Sequence, residues 1–265
     1  MVARLYEFEM MDESLGIFLL AIVCYVVFLH YLCIRLCISV MNIESIAFFK
    51  SPFTSKFGIP RQSGIVNELR GTIVFTDNYR QAEALRGLED YDYLWLIWGF
   101  SEHVDAEKHA TVRPPLLGGN ERMGVWATRS PFRPNNLGLS SVRIASIDFT
   151  TPAIEVLGAD LMDGTPIYDI KPYLPYVDSH SEARGGFTEQ HSWQRLQVDI
   201  PFELSECLAE PDLQALRETL SLDPRPHYHD DDEREYGMPF MGWNIHFRVA
   251  HGVLHVVKWV RISAV

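Results

Sequence analysis

Residues 111–140 gather four guanidinium groups, Arg113, Arg122, Arg129 and Arg133, against the single carboxylate of Glu121, in a chain whose formal charge is -12. Guanidinium groups offer paired planar donors that match carboxylates and phosphates, so the cluster predicts an anionic ligand. A proline-stiffened connection with merely solvated arginines is the plainer alternative. Proline and glycine interrupt the stretch too often for a long helix. It reads as loops around one short strand at 124–128, which puts Arg129 at a strand end and Asn135 in a turn that also presents amide groups.

Three further groupings could do chemistry. In residues 56–64, Pro60 fixes the backbone while Arg61 and Gln62 offer planar hydrogen-bonding groups suited to a carboxylate, a base edge or a ligand amide. Residues 160–173 hold three carboxylates, two phenols and a lysine, among them Tyr168 and Lys171. Asp163-Gly164 is a turn pair; Asp160 and Asp169 have no such simple reading and are candidates for general acid–base work. The apolar run containing Trp95 and Trp98 ends abruptly in Ser101-Glu102-His103, a polar rim at a strand end.

Other chemistries lose their usual support. The ten histidines match no zinc spacing, residues 229–233 read as a solvated acidic loop, and no metal site is expected. No Gly-x-Gly-x-x-Gly, phosphate-binding loop or Gly-x-Ser-x-Gly motif is present, which argues against dinucleotide, nucleoside triphosphate and serine-hydrolase functions.

The elements that must position these groups are short and β-rich. Residues 43–49, 71–75, 93–100, 124–128, 142–149 and 153–157 read as strands, and the segment from Asn78 to Gly87 as a helix. Six strands with so little helix between them predict a mainly β protein built on a barrel or closed sheet. Residues 178–190 look like an exposed connection. A strand at 196–200, a helix at 210–220 and a hairpin of 243–249 with 253–260 then predict a small α+β C-terminal appendage. The expected division is residues 1–40, 41–180 and 181–265.

Residues 15–34 carry no formal charge and are long enough to cross a bilayer, but acidic residues precede them and only Arg35 follows. The favoured reading starts the working protein at Met41 and expects no membrane partner. Cys24, Cys33 and Cys37 lie in or just after that run, leaving Cys207 alone beyond it, which points to a reducing, cytoplasmic compartment.

Ser51-Pro52-Phe53, Lys56 to Gln62, Gly87-Leu88-Glu89, Thr111 to Ser140 and Gly164 to Tyr173, in that order, resemble the TrmO family, also called TsaA-like. Asp223-Pro224-Arg225-Pro226-His227-Tyr228 resembles an element of that family's C-terminal region. The resemblance implies a single-sheet β-barrel, a homodimer, and transfer of a methyl group from S-adenosylmethionine to N6 of threonylcarbamoyladenosine at position 37 of threonine tRNA. It implies cofactor contacts at Pro60, Arg61, Gln62, Ser101, Glu102, Arg129, Leu139, Leu157, Gly158, Ala159 and Asp160. The pair Ser101-Glu102 departs from the His-Gln of some bacterial members.

Within that reading Asp160 or Asp169 is expected to serve as a modest base, with Tyr168 stacking on a base or donating to the carbamoyl oxygen. Arg122, Arg133, Asn135, Lys171, Arg225 and Tyr228 are the candidates for holding the substrate, with Arg133 and Asn135 meeting either the RNA or the threonyl carboxylate. A non-catalytic barrel that binds RNA or an adenosine-like ligand is the competing reading.

Overall fold

The computed structural model describes residues 23–28, 42–103, 107–191, 194–226 and 231–262. Its contacts divide the chain into Met1–Ile43 and Glu44–Val265. In the first unit residues 23–28 are helical. The rest of the long apolar run, with Cys33 and Cys37, lies outside the described residues. No helix among the described residues is long and apolar enough to cross a membrane.

In the second unit the strands β1 (Ala47–Lys50), β2 (Arg70–Phe75), β3 (Tyr93–Gly99), β6 (Leu137–Asp148), β7 (Ala153–Leu157) and β8 (Pro166–Pro172) close into a barrel in the order β1-β2-β7-β6-β3-β8. Every neighbouring pair is antiparallel. Alternate residues point inward, so Phe49, Ile73, Phe75, Leu94, Leu96, Trp98, Val142, Ile154, Val156 and Ile167 fill the lumen. A barrel this narrow is plugged by its own side chains, and glycine makes room for the largest. A Cβ on Gly71 would lie 2.2 Å from the Phe49 ring, and one on Gly138 2.3 Å from the Trp98 indole.

A mainly β fold on a closed sheet is what the strand pattern predicts, and several boundaries differ from expectation. The segment at 78–87 forms only a single 3-10 turn, Ala82–Leu85, in which Leu85 alone is buried. With no apolar face to dock, a helix that short lacks the tertiary contacts that offset its nucleation cost. The strand expected at 124–128 is also absent. The two-residue strands β4 (Thr111–Val112) and β5 (Met123–Gly124) pair, and a 3-10 turn, Val125–Ala127, follows. There Thr128 Oγ1 donates to the Val125 carbonyl at 2.9 Å, taking up a group a ladder would need. β6 starts five residues before its expected position, and β8 was not anticipated as a strand.

The C-terminal sheet runs β10-β11-β12-β9, from β9 (Gln197–Asp199), β10 (Tyr236–Phe240), β11 (Trp243–Ala250) and β12 (Val253–Arg261), with β9 and β12 parallel. Met241-Gly242 and His251-Gly252 both have positive φ at each position, the geometry of two-residue type I′ hairpin turns. The helix Glu210–Ser221 buries Leu213, Leu216 and Leu220 against the sheet. Phe53, Val66 and Leu69, from the loop between β1 and β2, belong to this same core. Phe57 stacks on Phe247, and a Cβ on Gly58 would strike the Met238 sulfur. The β1–β2 loop is therefore gripped by the C-terminal core, and this is the loop that carries Pro60, Arg61 and Gln62.

Candidate functional site

Asp160 lies just beyond β7. Leu157 is opposite Arg143 in the β6–β7 ladder, and the chain continues beside β6 until the Asp160 carboxylate accepts a 2.6 Å hydrogen bond from Ser140 Oγ. Ser140 in turn accepts from Trp98 Nε1 at 3.0 Å. Ser140 is 1% exposed on the apolar inner face of β6, and this bond satisfies it. Desolvation raises the Asp160 pKa above the ordinary aspartate value. Hydrogen bonds from Ser140, from its own amide and from Ser63, together with the Arg129 charge, oppose that rise without cancelling it.

Arg129 Nη1 donates to Gln62 Oε1, and Gln62 Nε2 donates to the Arg61 carbonyl. Gln62 thus ties the loop held by the C-terminal core to the arginine-rich segment. Arg61 is half-buried, and desolvation pulls its pKa down while nearby Asp223 pushes it back up; a guanidinium stays charged under such a shift. Asp223 also grips Arg225 through two 2.9 Å hydrogen bonds.

Beside this cluster, on the outer barrel wall, is a cavity of about 390 Å³ lined by Gly64, Tyr93, Ser141, Arg143, Leu157 and Gly158 among others, within the range of small-molecule sites. The Gly64 amide donates to the Gly158 carbonyl at 2.8 Å. Both residues have positive φ, and a Cβ on Gly158 would lie 3.4 Å from the Gly64 backbone. Two bare backbones thus meet where the loop crosses the barrel wall.

Other expected site residues are distributed around this centre. Pro60 and Ala159 are buried at its edges. Strand register sets Asp169, Ile97 and Leu139 in one row of the outer wall and Lys171, Trp95 and Ser141 in the next. Leu139 is exposed. Asp169 accepts from Lys171 at 2.8 Å and from the Ile170 amide at 2.9 Å. Tyr168 occupies the β3–β8 bulge, its hydroxyl over Gly99, where a Cβ would fall 2.6 Å away. Ser101 and Glu102 are exposed on the 3-10 turn Ser101–His103, beside the start of β6.

The RNA-facing candidates divide differently. Arg122 is exposed and donates to Thr111 Oγ1 at 2.7 Å. Asn135 is exposed next to Asn136, which has a φ of 49°. Arg133 instead turns into its own loop, donating to the Thr128 carbonyl at 2.6 Å and to the Val125 and Ser130 carbonyls at 3.4 Å. Tyr228 lies outside the described residues. Ser140, Trp98 and Asp223 join the site without having been among its expected residues. A lone serine on an otherwise apolar alternating face was the available signal for the first.

Fold and site together define a small closed-barrel protein with one guanidinium, one amide and one desolvated carboxylate converging at the barrel wall. The sequence matches the tRNA-methyltransferase O N-terminal domain over residues 48–179 and the TrmO C-terminal domain over residues 194–262. It is 38% identical over 221 residues to an Escherichia coli protein named tRNA (adenine(37)-N6)-methyltransferase, covering 80% of this chain and 94% of that one. A Pseudomonas aeruginosa protein named putative S-adenosylmethionine-dependent methyltransferase RcsF is 35% identical over 213 residues, or 78% of this chain and 91% of that one. The crystal structure of TrmO from Pseudomonas aeruginosa superposes with a TM-score of 0.69 at 28% identity, covering 83% of this chain and 98% of that one. The chain belongs to the TrmO family.

Proposed function

We propose that this protein methylates N6 of adenosine 37 in tRNA using S-adenosylmethionine, with threonylcarbamoyladenosine in threonine tRNA as the target, acting as a cytoplasmic homodimer. The observation that carries this reading is the convergence of Arg129, Gln62 and the desolvated Asp160 carboxylate, in a chain of the TrmO family.

The donor set fits the cofactor. Arg129 suits its carboxylate, the amide of Gln62 and the bare backbone at Gly64 and Gly158 suit its adenine and ribose, and Asp160 suits a cationic centre. When bound, S-adenosylmethionine supplies an electrophilic methyl group. The protein's part is to hold donor and acceptor in line, and orientation of this kind supplies a large share of the acceleration.

The acceptor nitrogen, between a purine and a carbonyl, has a weak lone pair and a comparatively acidic proton. Asp160 is the better base of the two candidates. Its pKa is already raised, whereas the Asp169 carboxylate is committed to Lys171. Leu139 and Tyr168 provide the apolar and aromatic wall beside the reacting groups.

Two measurements test the proposal. Calorimetry of residues 41–265 with S-adenosylmethionine is expected to show binding. Mass spectrometry of tRNA nucleosides from cells lacking the protein is expected to show loss of the N6-methyl form and accumulation of its unmethylated precursor. Binding without any change in nucleosides would identify a non-catalytic module instead.

A further inference from the structure

Trp126 is 71% exposed, whereas Phe132, the other large aromatic of residues 111–140, is partly buried. An indole left in water has a hydration cost that a fold normally removes, so its surroundings are informative. The residue before it, Val125, is 3% exposed and donates its amide to the Ala110 carbonyl at 3.0 Å. The residues after it form a chain of local bonds: Thr128 Oγ1 to the Val125 carbonyl, the Ser130 amide to Thr128 Oγ1, and the Phe132 amide to Ser130 Oγ. Arg133 ties the same loop together from its far end through three carbonyls, and its guanidinium carbon sits 5.4 Å from the centre of the Trp126 ring.

The loop therefore presents one indole to solvent in a fixed orientation, braced on one side by a cation. Beyond buried Val125, the nearby Gly124 and Ala127 are exposed and small, and Arg122 and Arg129 are exposed on either side in the sequence. A protein-docking patch would be expected to continue as apolar surface. A single rigid aromatic flanked by guanidinium groups is instead the arrangement that receives a splayed-out nucleobase while cations meet its phosphates.

We propose that Trp126 is a stacking platform for an unpaired base of the RNA loop that carries the target adenosine. This rests on the reading above that tRNA is the substrate. It also gives Arg133 a role: it holds the platform and leaves phosphate contact to Arg122.

The test compares wild-type protein with W126A and W126Y in steady-state methylation of tRNA, with light scattering in parallel. Under the proposal W126A raises the KM for tRNA by about tenfold or more, from the usual worth of one base–aromatic stack. Turnover at saturating tRNA and the KM for S-adenosylmethionine stay within about twofold. W126Y recovers most of the loss, and 2-aminopurine placed in the RNA loop is quenched by wild-type protein but not by W126A. An unchanged KM for tRNA in an active enzyme overturns the proposal alone. A W126A protein whose oligomeric state differs from wild type also overturns it and makes the indole a protein contact. Absence of methylation by wild-type protein overturns the tRNA reading and this proposal together.

Discussion

Asp160 is costly to the fold, and the role proposed for it in the chemistry draws on that same cost. Between the ordinary aspartate pKa and its raised value, the folded chain keeps a proton that the unfolded chain has released, so stability rises as pH falls through that window. Asp160→Asn keeps an acceptor for Ser140 while removing the charge. Thermal melts are expected to show a variant at least as stable as wild type at neutral pH and without that pH dependence, and calorimetry is expected to show weakened S-adenosylmethionine binding. Arg129→Met removes a neighbouring cation that opposes the shift. The stability rise is then expected to begin at higher pH, and cofactor affinity is expected to fall by about tenfold or more, the worth of the charge-assisted hydrogen bond proposed between Arg129 and the cofactor carboxylate. On the RNA side, Arg122→Ala is expected to lower the salt slope of tRNA binding by about 1, as measured by filter binding across a salt series.

The elements around the site work through what glycine omits. Gly138 leaves the space in which the Trp98 indole lies while it donates to Ser140, so a single methyl group there reaches Asp160 through two hydrogen bonds. Gly138→Ala is expected to destabilise the protein by about 1–3 kcal/mol in urea unfolding, the usual cost of overpacking, and to weaken cofactor binding as well. Much at this scale was legible in advance. β7 lies at its expected residues, and the C-terminal hairpin follows from alternating apolar residues around His251-Gly252. The arginine cluster and the Pro60–Gln62 turn were recognisable by residue type. What they contact was not, because Gln62 meets Arg129 and Ser140 meets Asp160 only after the barrel has closed. The 3-10 turns at 82–85 and 125–127 were hidden for a related reason: side-chain bonds and missing tertiary partners, not periodicity, decide such short segments.

At the scale of the molecule, the β1–β2 loop of the barrel places Phe53, Val66 and Leu69 in the core of the C-terminal sheet, while the barrel keeps a core of its own. A fragment of residues 44–190 would expose those three side chains and release the loop that carries Arg61 and Gln62. It is expected to be poorly soluble, or to melt well below the full chain by circular dichroism, and to lose cofactor binding. The parallel pairing of β9 with β12 adds a temporal constraint. On a ribosome the barrel strands emerge before the C-terminal sheet, and the ladder of β9 forms only after β12 has followed. Until the C-terminal helix and strands follow, Phe53, Val66 and Leu69 lack the core they join in the folded chain, and the loop bearing Arg61 and Gln62 lacks Met238 and Phe247 to grip it. The nascent chain thus completes its barrel strands before the C-terminal core that holds the loop bearing Arg61 and Gln62.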